Sequence, residues 1–313
     1  MHGSKVRLGA LLLGVSAAAM AQSGTAGSII EYPVPSTSYL ESITTGPDGA
    51  LWFADFSGYI RRITTAGVLT DYPVPTQGSE PFGITAGPDG ALWFTELRLG
   101  IGRITTSGAI TQYPVHGQPN GITAGPDGAL WFAEFDGNKI GRITTSGALT
   151  EYPIPAHQTT PYEITSGPDG ALWFTETAGN RIGRITTDGV IDEYPVPTPN
   201  CMPWDITKGR DGALWFTEYN GNKIGRITTR GEITEYLVPS AASQPSGITA
   251  GPDGALWFTE YVTASKIGSI TTAGVITEYP APSGTEAWMI ARGPDGELWF
   301  TGNNTTAIGA LQP

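Results

Sequence analysis

The sequence contains a single cysteine, Cys201, and only three histidines among its 313 residues. One cysteine excludes an intramolecular disulfide and a cysteine-rich zinc site, and three histidines leave little material for a histidine-based metal cage. Only 15% of the residues are charged, and the net charge of −12 argues against binding to nucleic acid or to an anionic membrane surface. At this length the chain can nevertheless bury a large core.

Long apolar runs are also scarce, and the one that is present lies at the amino terminus. Lys5 and Arg7 precede an apolar stretch from Leu8 to Ala19, and Ala-Met-Ala at 19–21 provides a small-x-small cleavage site. A stretch of about a dozen residues is too short to span a bilayer. We therefore expect residues 1–21 to be a secretory signal peptide and the mature chain, without a membrane span, to be exported to the periplasm or the extracellular space.

What the sequence has in abundance is a repeat. The string Asp-Gly-x-Leu-Trp-Phe occurs seven times, with its tryptophans 38 to 42 residues apart. These repeat tryptophans are Trp52, Trp93, Trp131, Trp173, Trp215, Trp257 and Trp299. Each unit contains four short segments, rich in β-branched and aromatic residues and separated by tight-turn signals such as Gly-Pro-Asp-Gly. Seven four-stranded units of about 42 residues predict an all-β fold, a seven-bladed β-propeller.

The two ends of the chain predict how the ring closes. Residues 28–35 (Ser-Ile-Ile-Glu-Tyr-Pro-Val-Pro) copy the fourth segment of a unit, yet they precede the first complete unit. The carboxyl end stops after a third segment, at 307–311. We therefore predict one propeller domain over residues 28–313, in which the amino-terminal strand completes the last blade and removes an open sheet edge. We expect this closed ring to be a monomer.

Comparison of the seven units separates recurrent positions from variable ones. Variation concentrates in two connections that lie at the same end of the strands, because an up-and-down blade reverses at every turn. Eleven residues before the repeat tryptophan, where the innermost strand starts, stand Glu41, Phe82, Asn120, Tyr162, Trp204, Ser246 and Trp288. Concave aromatic surfaces with a few polar groups are the usual small-ligand sites. We therefore predict that Phe82, Tyr162, Trp204, Ser246 and Trp288 bind a ligand at the mouth of the central channel; the alternative is that the rings only plug the channel or pack between blades.

A ring of acidic residues follows each repeat tryptophan by three positions. Its members are Asp55, Glu96, Glu134, Glu176, Glu218 and Glu260, and the last unit has Gly302 instead. Converging carboxylates can hold a hard cation or act as acid and base. Because these positions recur, we interpret them as scaffold groups that hydrogen bond to turns and neighbouring blades. His116 and His157 lie in variable loops, where we expect solvated side chains, and Cys201 has no nearby histidine to activate it.

The repeat also resembles that of a known family. The string Pro-x-Gly-Ile-Thr-x-Gly-Pro-Asp-Gly-Ala-Leu-Trp-Phe-Thr-Glu, followed by Gly-Asn-Lys-Ile-Gly-Arg-Ile, closely resembles the virginiamycin B lyases over residues 28–313. The resemblance implies a propeller that linearises streptogramin B antibiotics by elimination, with a histidine as base and a magnesium ion held by glutamates. In the family motif Glu-Pro-His-Gly-Ile, Glu286 matches a metal-binding glutamate, whereas Trp288 stands in place of the base. Ser246 stands in place of a second histidine, and Asn303 in place of a second glutamate.

The sequence therefore predicts an exported, lyase-like propeller that binds a small molecule, a glycan or a peptide through its aromatic face, without efficient streptogramin lyase chemistry. No catalytic residue is assigned, and magnesium is implied by the resemblance alone, with Glu286 as its candidate ligand. Two alternatives remain open. One is a metal-dependent lyase or lactone hydrolase that uses other residues, such as His116 or His157, and the other is a non-catalytic platform for protein partners.

Overall fold

The computed structural model describes residues 28–36, 39–262, 265–282, 284–303 and 306–313. Within these ranges the chain forms 28 β-strands and no helix, and the strands are arranged as seven four-stranded antiparallel sheets. The predicted signal peptide lies outside the described residues. In the part of the chain that the structure covers, no helix is long and apolar enough to cross a membrane.

The strands follow one another around the ring in blades of four. Strand β1 (Ile29–Pro33) precedes the first complete blade. Blade 1 contains β2 (Leu40–Thr45), β3 (Leu51–Asp55), β4 (Tyr59–Ile63) and β5 (Leu69–Pro73). Blade 2 contains β6 (Pro81–Ala86), β7 (Leu92–Glu96), β8 (Gly100–Ile104) and β9 (Ile110–Pro114). Blade 3 contains β10 (Pro119–Ala124), β11 (Leu130–Glu134), β12 (Lys139–Ile143) and β13 (Leu149–Pro153).

The remaining blades repeat the same order. Blade 4 contains β14 (Pro161–Ser166), β15 (Leu172–Glu176), β16 (Arg181–Ile185) and β17 (Ile191–Pro195). Blade 5 contains β18 (Pro203–Lys208), β19 (Leu214–Glu218), β20 (Lys223–Ile227) and β21 (Ile233–Leu237). Blade 6 contains β22 (Pro245–Ala250), β23 (Leu256–Glu260), β24 (Lys266–Ile270) and β25 (Ile276–Pro280). Blade 7 contains β26 (Ala287–Arg292), β27 (Leu298–Gly302) and β28 (Ala307–Leu311), and β1 is its fourth strand.

The repeat tryptophans form the core between neighbouring blades. In blade 3, Trp131 is fully buried and packs against Leu172 of blade 4. Its Nε1 donates to Asp127 in the Gly-Pro-Asp-Gly turn at 3.0 Å, and the Tyr152 ring stacks on it at 5.5 Å. Arg142 covers the indole at 5.8 Å and pairs with Asp127 at 2.7 Å. The indole, which lies in the second strand, thus contacts the turn, the third and fourth strands of its own blade, and the next blade.

The predicted closure of the ring is confirmed. Strand β1 pairs antiparallel with β28, with Ile30 opposite Ala310. Tyr32 stacks on Trp299 at 5.4 Å, as the fourth-strand tyrosines of the other blades stack on theirs. The same ring lies on Gly67 of blade 1, where a Cβ would approach within 2.4 Å and the backbone has φ +80°. The junction of the first and last blades therefore repeats the contacts found inside the ring.

A β-bulge distinguishes the innermost strand of every blade. In β18 the register shifts between Pro203 and Ile206, so that Trp204 and Asp205 both lie opposite the single residue Thr217. The same shift occurs in β2, β6, β10, β14, β22 and β26. A bulge interrupts the alternation of side chains along a strand. Two consecutive residues of each inner strand can therefore reach the central channel.

Candidate functional site

The aromatic residues predicted at the channel mouth meet one another inside the channel. Phe82 of blade 2 contacts Tyr162 of blade 4, with ring centroids 5.8 Å apart. Tyr162 contacts Trp204 of blade 5 at 4.1 Å, and Trp204 contacts Trp288 of blade 7 at 5.8 Å. We call these four residues the aromatic plug, and their place in the repeat the plug position. Because two of these three contacts connect blades that are not neighbours, the rings reach across the channel and close it at the end that carries the variable loops.

Trp288 is the most firmly held member of the plug. Its side chain is 8% exposed, and its Nε1 donates to Glu41 of blade 1 at 2.9 Å. Burial raises the pKa of Glu41 to about 7, and the hydrogen bond from Trp288 partly opposes this rise. The carbonyl oxygen of Trp288 accepts bonds from Thr259 and from the buried Ser246 at 2.5 and 3.0 Å. Ser246 was predicted as a ligand-binding residue, but its hydroxyl donates a hydrogen bond to the backbone of the plug.

Threonine side chains fix the backbone of the plug position from the neighbouring blade. Thr175 in the second strand of blade 4 accepts a bond from the Glu163 amide in its own bulge and donates to the carbonyl of Trp204 in blade 5 at 2.8 Å. Thr217 and Thr259 repeat this bridge to blades 6 and 7. Where the string reads Trp-Phe-Thr, as in these blades, the threonine therefore fixes the backbone of the next blade's plug position.

Trp204 is half-buried and borders an open pocket beside the plug. The pocket has a volume of about 420 Å³ and lies over blades 3 to 5. Its lining residues are Phe135, Thr160, Tyr162, Thr177, Ala178, Asn200, Met202, Trp204 and Asn220. We call it the aromatic pocket. None of the described residues that line it is charged, so its shape and apolar surface favour a neutral ligand with ring or aliphatic groups.

Glu286, the candidate metal ligand, lies next to Trp288 but has few partners suited to a metal. It is half-buried beside Tyr261, whose pKa is raised first by burial and then by the charge of Glu286. The two other positions that the resemblance assigns to the site hold Ser246, whose hydroxyl is already bonded, and the neutral amide of Asn303. Among the described residues, no three or more His, Cys, Asp or Glu side chains converge to hold a metal ion. This donor set does not fit a magnesium ion held by glutamates.

The recurrent acidic residues differ in whether their carboxyl oxygens accept hydrogen bonds. Asp55 accepts bonds from the amide of Ser57 at 2.9 Å and from Arg61 at 2.7 Å, as the scaffold interpretation predicts. Glu134 is fully buried, and neither of its carboxyl oxygens accepts a bond from the described residues. Burial, followed by the charge of Glu151, raises the pKa of Glu134 to about 7. The expected hydrogen bonds are therefore wrong for Glu134. Burial instead shifts this carboxyl toward its protonated form, which lowers the cost of burying it without a counter-ion.

The isolated candidates lie apart from the plug. His116 and His157 are exposed in the loops that precede the inner strands, and neither lines the aromatic pocket. Cys201 is fully buried, and burial, together with the neighbouring Glu218, raises the pKa of its thiol. A buried thiol that keeps its proton is a poor nucleophile, in agreement with the sequence interpretation.

Two acidic residues in the channel were missed by the sequence analysis. Glu163 and Asp205 directly follow plug residues and line the channel on the other side of the plug. The corresponding column of the repeat contains Ser42, Gly83, Gly121, Glu163, Asp205, Gly247 and Met289. That column also varies, with five residue types against six at the plug position, and this variation was the available signal. Simple strand alternation turns it away from the channel, and the bulge overrides that alternation.

These features define the class: a closed seven-bladed β-propeller with an apolar candidate ligand site at the variable end of its channel. The model of the Virginiamycin B lyase family matches residues 12–212 and 101–313. The chain belongs to the virginiamycin B lyase family. The comparison with curated proteins gives no match.

Solved structures of the family are similar over nearly the whole chain. A streptogramin B lyase is 40% identical, with 91% of this chain and 97% of that chain covered and a TM-score of 0.86. Virginiamycin B lyase from Staphylococcus aureus is 42% identical, with 91% and 99% covered and a TM-score of 0.86. The same values hold for a catalytically inactive histidine-to-alanine variant of the Staphylococcus aureus enzyme with quinupristin.

Proposed function

We propose that this protein is an exported member of the family that binds a small or extended ligand through its aromatic face and lacks efficient streptogramin lyase chemistry. The proposal rests on one observation: the position that the resemblance assigns to the catalytic base is filled by Trp288, whose indole is buried and bonded to Glu41. An indole cannot act as a general base near neutral pH, because its ring nitrogen only donates. Loss of the base lowers a rate by about 10²- to 10⁴-fold.

A relative of known structure also supports ligand binding without catalysis. In the Staphylococcus aureus enzyme, replacement of one histidine by alanine gives a catalytically inactive protein with quinupristin. Ligand binding and catalysis are therefore separable in that enzyme. The two histidines that follow the predicted signal peptide, His116 and His157, are exposed and do not line the aromatic pocket.

The aromatic pocket supports a ligand-binding role. At about 420 Å³ it falls within the range of small-molecule sites, and Tyr162, Trp204 and Phe135 present rings at its wall. Thr160, Thr177 and Asn220 add neutral polar groups at its edge. A neutral cyclic compound, or a glycan or peptide that stacks a ring on Trp204, matches this chemistry.

A binding experiment with quinupristin tests the proposal. We expect quinupristin to quench tryptophan fluorescence without added magnesium, and the compound to be recovered intact. Trp204→Ala should weaken binding by about tenfold or more, since truncated aromatic anchors remove more than 1 kcal/mol. Tyr59→Ala is the matched control, because Tyr59 is an aromatic residue of the variable end that does not line the pocket. Equal binding by Trp204→Ala would exclude the pocket, and magnesium-dependent loss of quinupristin would favour the lyase alternative.

A further inference from the structure

One methionine lies in the wall of the aromatic pocket. The sequence has four methionines, and two of them, Met1 and Met20, belong to the predicted signal peptide. Of the other two, Met202 lines the aromatic pocket and is half-buried. Met289 lies in the central channel and is only 5% exposed. The two methionines of the predicted mature chain therefore differ in their access to reagents in the solvent.

The sulfur of Met202 has a hydrogen-bond donor beside it. The Nδ2 of Asn220 donates to the Sδ of Met202 at 3.4 Å, and Asn220 is an exposed residue that also lines the pocket. A thioether sulfur is only a weak acceptor, whereas oxidation to the sulfoxide makes the side chain polar. An oxygen atom added to this sulfur would therefore find an amide donor at the pocket wall.

The other blades show that the fold accepts a polar group at this position. Two residues before the plug position stand Tyr39, Glu80, Gln118, Thr160, Met202, Gln244 and Glu286. Met202 is the only one of these whose side chain has no oxygen or nitrogen atom. Gln118 and Gln244 share its left-handed backbone, with φ of 53° and 50° against 57°. In blade 2 the positions of Met202 and Asn220 hold an ion pair, Glu80 with Arg98 at 2.7 Å. A polar side chain at position 202 is thus compatible with the blade.

The effect of such a change falls on the aromatic pocket, where Met202 supplies apolar surface. The hydroxyl groups of Thr160 and Thr177 lie 2.6 Å apart and bond to each other, and that of Thr160 also accepts a bond from the Ala178 amide at 2.9 Å. These neighbours are therefore already bonded within the protein. A sulfoxide at Met202 would bond to Asn220 and to water, and an apolar ring that enters the pocket would have to displace that water.

We propose that Met202 is a site of reversible oxidation by peroxides, and that its sulfoxide weakens ligand binding in the aromatic pocket. With hydrogen peroxide, the sulfur lone pair attacks one oxygen, the O–O bond breaks and an S–O bond forms. The proton of the transferred oxygen passes to the departing hydroxide, which leaves as water, so the sulfur is oxidised and the peroxide is reduced. Methionine sulfoxide reductases reverse the change. The effect on binding rests on the proposed function, whereas the oxidation itself does not.

Peptide mapping by mass spectrometry, after brief exposure of the full mature chain to hydrogen peroxide, tests the modification. Trypsin places Met202 and Met289 in separate peptides, 185–208 and 267–292. We expect the first peptide to gain one oxygen atom about tenfold faster than the second, because susceptibility follows exposure. Met202→Leu keeps Cys201 and Trp204 in the same peptide, and the gain of oxygen should disappear in this variant. Equal oxidation of both methionines, or a gain that persists in Met202→Leu, would overturn the assignment.

Quinupristin binding, measured by tryptophan quenching after the peroxide has been removed, tests the effect on the pocket. We expect the oxidised chain to bind about tenfold more weakly and to recover its affinity after treatment with methionine sulfoxide reductases. Met202→Gln imitates the sulfoxide with the residue that stands at the equivalent positions 118 and 244, and it should weaken binding without any oxidant. Met202→Leu should show the same affinity before and after peroxide, and Met289→Leu should keep the response.

The outcomes separate this inference from the proposed function. Unchanged affinity in both the oxidised chain and Met202→Gln would overturn the effect of the modification on the pocket. If the unoxidised protein does not bind quinupristin, the proposed function fails and the effect on binding fails with it, while the peptide map still decides whether Met202 is the oxidation site.

Discussion

At the scale of single residues, tryptophan serves two purposes in this chain. Seven indoles are fully or almost fully buried between blades, and each donates its N–H to the aspartate of its own turn. The other two, Trp204 and Trp288, belong to the plug. Trp288 donates to Glu41, whereas the Nε1 of Trp204 has no partner among the described residues.

This difference gives a matched pair of substitutions. Trp288→Phe leaves the buried Glu41 without its donor, so we expect a loss of about 1–3 kcal/mol in the free energy of unfolding. Trp204→Phe removes an N–H that is unbonded already, and we expect a change of less than about 1 kcal/mol. Urea unfolding of both variants provides the comparison. Equal losses would show that the hydrogen bond to Glu41 contributes little.

At the scale of elements, strand β1 decides whether the ring is closed. Its tyrosine, Tyr32, stacks on Trp299 at 5.4 Å, and the internal equivalent Tyr152 stacks on Trp131 at 5.5 Å. Loss of β1 would expose the edge of β28 and open the core between blades 7 and 1.

Substitution of the two tyrosines tests whether β1 stabilises the fold as much as the fourth strand of an internal blade does. Because both rings fill the same contact in the repeat, we expect Tyr32→Ala and Tyr152→Ala each to lower the free energy of unfolding by about 3–5 kcal/mol. Thermal and urea unfolding should show a single transition in both variants. If Tyr32→Ala is nearly neutral while Tyr152→Ala is not, β1 does not hold the ring together.

The elements also show which features of the fold and of the site can be predicted from the sequence alone. The period of the repeat tryptophan predicts the blades, their number and the closing strand, because every blade buries the same residues. The position of Trp204 at the channel follows from the same period. The plug itself does not, since the contact between Phe82 and Tyr162 spans blade 3, whose plug position holds the smaller Asn120. Glu163 and Asp205 escaped notice because a bulge, which has no clear signal in sequence, turns two consecutive residues to the channel.

At the scale of the whole molecule, buried glutamates set the response to pH. Burial raises the pKa of Glu96, Glu134 and Glu260 to about 7 and that of Glu218 to about 8, from 4.5. Glu176, beside Glu193, shifts in the same direction. A group whose pKa is higher in the folded state than in the unfolded chain stabilises the fold fully below the unfolded value. That contribution is lost as the pH rises through the folded value.

We therefore expect the urea midpoint to fall as the pH rises from about 5 to about 8, opposite to the usual acid sensitivity. The turn aspartates such as Asp127 have lowered pKa values, so their contribution is lost only as the pH falls below 3.8. A Glu134→Gln/Glu176→Gln/Glu218→Gln variant should show a flatter dependence between pH 5 and 8. A midpoint that rises over this interval in the unmodified protein would contradict the protonated state of these carboxyl groups.

The most direct measurement is a streptogramin B linearisation assay with quinupristin and added magnesium, run beside a Trp288→His variant. With Trp288 at the position that the resemblance assigns to the base and a donor set that does not fit magnesium, we expect the unmodified protein to give no turnover above the uncatalysed rate. The variant reports whether an imidazole alone restores any activity on this scaffold. Efficient, magnesium-dependent ring opening by the unmodified protein would contradict the account.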